Sequence, residues 1–362
     1  MHKIKNLRIK KALNRGILIL MIPSFMIGYF GKISIESKKK TVIIETESKN
    51  CEDNNFQIFS HRALDGENSR TGIINSNNSN CCFGTEIDIR MTANSVNAYE
   101  SYGDMNLFFE DNHTYESEEL VIVHDNTIYN INRKTIEQID SLKIDEVTYS
   151  MLKSLEVRPY NYKISLDYLQ SFFDNETGDM IRKKINERNK NEDVIISLKE
   201  AIELLDISKT VIFDIKFEKD SYRNYLMMHK FYDDVKDYEG NFIVQAANPE
   251  ALIDMKNQYP NFSYYLICKS ESILDKYLNE FQGFNIKADI VKEDMIINLA
   301  QLNKEIAIWN LDSQANRNKI IDIVYKHGIA SEIKFITDFP SIICFYLNEI
   351  EKNNENKVKV LF

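Results

Sequence analysis

NFIVQAANPEALIDMKNQYPNFSYYLIC, residues 241–268, holds a short β-rich apolar run (NFIVQA, 241–246), a segment of helical period (NPEALIDMKNQY, 248–259) and a second short run (SYYLIC, 263–268). Strand–helix–strand units of this length predict parallel strands joined by right-handed crossovers. The alternation extends in both directions. Further strand-like runs are FQIFS (56–60), FGTEIDI (83–89), ELVIVH (119–124), TVIFDIKF (210–217), IKADIV (286–291), EIAIWN (305–310) and EIKFITD (332–338). Helical periods fill SLKEAIELL (197–205), SILDKYLNEF (272–281), RNKIIDIVYKHG (317–328) and PSIICFYLNEIEK (340–352). Nine strand runs are one too many for an eight-stranded barrel. The stretch from Ile89 to Glu119, however, is polar and Asn-rich without helical period, and reads as a long hairpin insertion after strand 2. The expected fold class is α/β: a distorted (β/α)8 TIM barrel whose site lies at the C-terminal ends of the strands. An open doubly wound sheet would call for a Gly-rich phosphate loop after the first strand, and SHRALDGEN is not one.

The chain has 362 residues, 43% of them apolar, enough to bury a large core and to exclude disorder. Its net charge of -10 is unevenly distributed: the first forty residues carry ten Lys and Arg against one acid, Glu36, so a local +9 precedes a body of -19. A body that acidic excludes general nucleic-acid binding, which needs clustered basic side chains. Lys3, Lys5, Arg8, Lys10, Lys11 and Arg15 precede the uncharged run GILILMIPSFMIGYFG (16–31), which Lys32 closes. This is a secretory-type leader. As a helix it rises about 24 Å, within reach of a hydrocarbon span of about 30 Å once Arg15 and Lys32 snorkel. No small-x-small cleavage site follows, which favours a retained single-pass transmembrane anchor over a cleaved signal, with the later residues outside the cytoplasm by the positive-inside rule. The expected layout is a basic segment and anchor at 1–35, a polar linker at 36–55, the barrel at 56–352 with its insertion at about 90–119, and a tail at 353–362. The five cysteines show no C-x-x-C spacing, so no zinc site is indicated; one disulfide is compatible with export, and Cys268 and Cys344 read as small core residues.

Polar residues collect at the ends of four strand runs. FQIFS leads into His61 and Arg62, FGTEIDI carries Glu86 and Asp88, ELVIV ends in His124 and Asp125, and TVIFDIKF carries Asp214 and Lys216. Residues two apart on a strand share a face, so Glu86 and Asp88 point one way, as do Asp214 and Lys216. Three carboxylates aimed into a barrel lumen are costly unless a cation offsets them, and hard oxygen donors favour one Mg2+ or Ca2+. Imidazoles near pKa 6.5 suit general acid–base work, while a metal with Arg62 and Lys216 can neutralise a phosphoryl group.

These residues resemble, in order and spacing over roughly 56–350, the glycerophosphodiester phosphodiesterases, distorted TIM barrels that release glycerol 3-phosphate and an alcohol. His61, Arg62, Glu67 and Asn68 in SHRALDGENS match that family's opening His-Arg and Glu-Asn; Glu86 and Asp88 match its Glu-x-Asp; His124 and Asp125 match its His-Asp; Asp214 and Lys216 stand at its Glu-x-Lys. VQAANPEAL, AIWNLD and ITDFP are looser matches. The resemblance implies His61 and His124 as the acid–base pair and Glu86, Asp88 and Asp214 as ligands of one divalent cation. It also implies phosphate contacts from Arg62 and Lys216, with Glu67 beside them as a substrate-binding residue; Trp309, by its place at a late strand end, is expected to stack on a substrate glycerol or head group. Trp309 serves equally well as a core or rim residue. The chain departs from the family pattern at Ala63, where Gly is usual, in lacking a Pro before Glu67, and at Asp214, one methylene shorter than the usual Glu.

The reading is therefore a metal-dependent, membrane-tethered, extracytoplasmic phosphodiesterase for small, lipid-derived or envelope glycerophosphodiesters, a role in lipid metabolism. A phosphatidylinositol-specific phospholipase C-like enzyme and a catalytically decayed barrel acting as a binding module are the alternatives. The carboxylate trio weighs against the first and the retained histidines against the second. The charged stretch 160–193 is expected to be a solvated helix, and His2, His113, His229 and His327 are expected to be non-catalytic.

Overall fold

The computed structural model describes residues 56–96, 116–128, 141–158 and 193–348, apart from single positions 65, 312, 342 and 345. The expected anchor (1–35), linker, C-terminal tail, most of the insertion and nearly all of the charged stretch at 160–193 lie outside the described residues. Among the described residues no helix is long and apolar enough to cross a membrane.

Eight parallel strands form the frame: β1 (Gln57–Ser60), β2 (Gly84–Met91), β6 (Thr210–Ile215), β7 (Phe242–Ala246), β8 (Ser263–Cys268), β9 (Gly283–Lys287), β10 (Glu305–Trp309) and β11 (Ile333–Thr337). Each pairs with the next, β11 pairs with β1, and β1 pairs with β2 through Phe59↔Gly84 and Ser60↔Thr85, so the sheet closes. The expected eight-stranded barrel is what these residues build. Alternation along each strand divides the apolar side chains. Phe59, Ile212, Ile243, Tyr265, Ala307 and Ile336 form one cluster, filling the lumen, while their neighbours Ile58, Phe213, Val244, Leu266, Ile308 and Phe335 join the larger core beneath the helices. Gly283 leaves room for Tyr265: a Cβ there would lie 2.1 Å from its ring.

Helices follow the strands with side-chain caps that the sequence carries. Ser197 and Glu200 make a reciprocal capping box at Leu198–Ile202, Asp220 caps Ser221–Val235, and Asn248 caps Pro249–Gln258, with Pro249 in the first turn. The sixth barrel strand begins three residues earlier than IKADIV indicates, at Gly283, and Ala288–Ile290 turns into a 3-10 helix. Gly283 and Asn285 are poor strand formers, and tertiary pairing with β8 and β10 overrides that preference.

The third run is not a barrel strand. β3 (Leu120–Ile122) pairs antiparallel to β2 through Ile89↔Ile122 and Met91↔Leu120, as a hairpin insertion requires. β1 reaches only as far as Thr85, so β3 covers the upper part of the β2 edge that β1 leaves open. The excursion is larger than 90–119. After β3 come a two-stranded ribbon, β4 (Thr127–Ile128) with β5 (Leu142–Lys143), and a short helix, Tyr149–Ser154. They have their own core of Val121, Val123, Ile128, Leu142, Ile144, Val147, Leu152 and Ile195. Cys268 and Cys344 are both buried in the core, as expected; Cys268 is free and Cys344 is disulfide-bonded.

Candidate active site

His61 follows the last residue of β1, and strand register sets its neighbours. Ser60 is level with Thr85 on one side and Thr337 on the other, which brings His61 beside Glu86 and Asp338. The His61 N–H donates to the Thr337 carbonyl at 2.9 Å, and its Nδ1 lies 2.7 Å from Asp338 Oδ1. Burial pulls the His61 pKa down, but the charge and hydrogen bond of Asp338, helped by Glu86, outweigh it and lift the pKa to about 9. Asp338, from the quoted ITDFP, has no role assigned by the sequence; the signal was its position at the end of the strand beside β1.

The chain then turns through two left-handed residues, Arg62 at φ 55° and Ala63 at φ 67°. Conformations there cost a non-glycine residue about 1–2 kcal/mol. They are held by Glu86, which accepts the Arg62 N–H on Oε2 at 2.7 Å and the Ala63 N–H on its backbone carbonyl at 2.9 Å. The Arg62 guanidinium donates from Nη1 to Glu67 Oε1 at 2.7 Å and has Nε 3.6 Å from Asp88 Oδ2. Glu67 thus buttresses Arg62; burial raises its pKa to about 7 against the pull of Arg62. Asn68, also left-handed at φ 50°, is buried and grips Asp88 twice: Nδ2 donates to Asp88 Oδ2 at 2.8 Å and Oδ1 accepts the Asp88 N–H at 2.9 Å.

Glu86, Asp88 and Asp214 are all buried, and one carboxylate oxygen from each lies within 4.8 Å of the others. Lys216 stands among them, with Nζ 2.6 Å from Asp88 Oδ1 and 2.5 Å from Asp214 Oδ2. Burial and the adjacent Asp88 push Glu86 up to about 8. Burial also raises Asp214, against Lys216, whereas for Asp88 the cations Lys216 and Arg62 outweigh burial and hold it low. Asp214 Oδ1 is buried with no hydrogen-bond partner among the described residues. An orphaned acceptor inside a cluster short of positive charge fits a hard divalent cation, and the three carboxylates are the residues that would hold it.

His124 arrives from β3. The Val123 N–H donates to the Asp88 carbonyl at 3.0 Å, and the His124 carbonyl accepts from Arg90 Nε at 2.7 Å. Its Nδ1 lies 2.7 Å from Asp125 Oδ1. Burial, reinforced by Arg62 and Lys216 and opposed by Asp88, lowers the His124 pKa to about 4. The two histidines are thus driven in opposite directions, one charged and one neutral near pH 7.

Trp309, at the end of β10, is half-buried against the lumen cluster, and its Nε1 is buried without a partner among the described residues. Register places Asn285 of β9 level with Ala307, two residues below Trp309 on the same face. Asn285 Nδ2 donates to Gln245 Oε1 at 2.8 Å, and Gln245 is level with Asp214 on the neighbouring strand, so two buried amides that the sequence did not single out continue the polar lining beside the carboxylates. Two other histidines lie on or just after helices: His229 bonds Tyr259 and Gln258, and His327 bonds Glu293.

A closed parallel barrel with histidines, basic residues and clustered carboxylates at its C-terminal mouth defines a class of barrel whose site suits an anionic ester. No protein-family profile matches the sequence, and no curated protein does. Solved structures do match. The chain is similar to a phosphodiesterase of Oleispira antarctica determined with the product sn-glycerol-3-phosphate, at 13% identity and a TM-score of 0.52 over 79% of this chain and 94% of that one. It is equally similar, at 17% identity and 0.52, to a glycerophosphodiester phosphodiesterase of Parabacteroides distasonis, covering 82% of this chain and 99% of that one. The likeness is one of fold, and it is the fold that the motifs in the sequence resemble.

Proposed function

We propose that the protein is a divalent-cation-dependent phosphodiesterase that hydrolyses glycerophosphodiesters to glycerol 3-phosphate and an alcohol. The observation that carries this is the buried trio of Glu86, Asp88 and Asp214, with an Asp214 oxygen left unpartnered, between two histidines and two basic side chains at the barrel mouth. A bound Ca2+ or Mg2+ would supply Lewis-acid neutralisation of the phosphoryl oxygens. The remaining chemistry falls to the chain itself. Arg62 has a buried Nε–H that makes no hydrogen bond among the described residues, a donor available to a phosphate oxygen, while Glu67 fixes the other branch of the guanidinium. Lys216 adds a second cation on the same side. One imidazole takes a proton from the attacking oxygen and the other returns one to the leaving alcohol. His61, with Nδ1 tied to Asp338, presents Nε2 to the site; His124, with Nδ1 tied to Asp125, does the same from the β3 side. Trp309 and Asn285, on the neighbouring strands β10 and β9, line the side where the alcohol would lie.

We place the enzyme outside the cytoplasm on an N-terminal anchor. The basic leader supports this, as does the disulfide at Cys344, which suits an oxidising compartment. The test is hydrolysis of glycerophosphocholine and of a polymeric glycerophosphate by the purified full chain with Ca2+ or Mg2+, before and after EDTA. Release of glycerol 3-phosphate that EDTA abolishes and His61→Ala removes supports the reading. Turnover indifferent to chelator would favour the phospholipase C-like alternative, and the absence of turnover with any cation would favour the decayed barrel.

A further inference from the structure

We infer that Arg90 is a positioning residue for His124, acting on its peptide and not on the substrate. The inference rests on His124 being one of the acid–base pair. Arg90 lies two residues beyond Asp88 on β2, so its side chain leaves the same face of the strand as the carboxylates. Its Nε–H donates to the His124 carbonyl at 2.7 Å, and one residue earlier the Val123 N–H donates to the Asp88 carbonyl at 3.0 Å. The peptide carrying His124 is therefore fastened to the strand that supplies two of the three carboxylates, at Asp88 and at Arg90. Asp125, the sequence neighbour of His124, holds the imidazole itself at Nδ1.

The need for such a clamp follows from the topology. Every other proposed site residue sits on a barrel strand, directly after one, or in the loop after β1, whereas His124 follows a three-residue antiparallel strand. Beyond it the chain leaves for a separate small core containing Val123, Ile128 and Ile144. Two packing units meet at His124, and Arg90 spans the joint. Burial disfavours the Arg90 charge, and Asp88, Asp125, Asp145 and Glu218, the charges that face it, offset part of that cost. A displacement of about 1 Å in a catalytic group costs about 100-fold in rate.

The experiment is a double-mutant cycle in the full chain, at saturating cation, with a glycerophosphodiester as substrate. Arg90→Met is expected to lower kcat about 10- to 100-fold, with KM and the cation concentration for half activity within twofold of wild type. Arg90→Lys, which can still donate to the carbonyl, should recover part of the loss. In a His124→Ala background Arg90→Met should cost nothing further. The inference is overturned if the loss persists in that background, or if KM or the cation requirement moves while kcat holds. If Arg90→Met does not fold by far-UV circular dichroism, Arg90→Lys and Arg90→Gln run the same cycle. Failure of the functional reading looks different: wild type and His124→Ala would then turn over equally, or neither would.

Discussion

Replacing Asp338 with Asn isolates what holds His61 charged. Asp338 is the strongest of the groups that raise the His61 pKa from 6.5 to about 9; burial and Arg62 work the other way. Without the carboxylate the imidazole of the metal-free protein should titrate below 6.5. A rise of that size corresponds to about 3 kcal/mol, and nearer 2 once the partial exposure of both side chains is allowed for. The sign follows from the direction of the shift. A group whose folded pKa is raised contributes stability that is fully present below its unfolded pKa of 6.5 and is lost as pH rises through about 9. Asp338→Asn should therefore unfold at lower urea concentration than wild type at pH 6, with the gap closing above pH 9. Carbon-resolved NMR of the histidine ring protons follows the titration itself. A wild-type His61 that titrates near 6.5, or a stability loss equal at pH 6 and pH 9.5, would refute the reasoning.

Other outcomes follow from the same geometry. Ca2+ or Mg2+ at 100 times its dissociation constant should stabilise the protein by about 2.7 kcal/mol in thermal unfolding, and Glu86→Gln should remove most of that gain. Lys216→Met leaves the buried carboxylates of Asp88 and Asp214 without the cation paired to both; it should destabilise the metal-free protein by about 3 kcal/mol, with added divalent cation restoring part of the loss, as differential scanning calorimetry would read. Gly84→Ala places a Cβ 2.0 Å from the Thr210 carbonyl and 2.5 Å from the Phe59 ring, so urea denaturation should report a loss above about 2 kcal/mol.

The barrel was legible because its strands and helices alternate with unambiguous period, and because one polar stretch explained the surplus run. The faces shared by Glu86 with Asp88 and by Asp214 with Lys216 followed from the two-residue repeat of a strand alone. What the sequence concealed depends on register or on long-range pairing. Asp338 meets His61 only because β11 closes against β1, and no local pattern states that closure. Asn68 reaches Asp88 because a left-handed turn folds the loop back on β2. The direction of β3 was legible only from the polar hairpin before it: ELVIVH itself carries the same apolar signal whether it runs parallel in a barrel or antiparallel along the open edge of β2. The overall acidity also acquires a structural meaning. A chain of charge -10 that is to hold an anionic ester must reverse the field locally, and Arg62, Lys216 and the proposed cation are the groups placed to do so.

The most direct test of the central claim is the initial rate of glycerol 3-phosphate release from glycerophosphocholine by the full chain with Ca2+ or Mg2+, set beside Glu86→Gln, His61→Ala and His124→Ala. The account predicts turnover in wild type that EDTA abolishes, and a loss of about 100-fold or more in each variant. Wild-type turnover that survives both chelation and the loss of either histidine would contradict it.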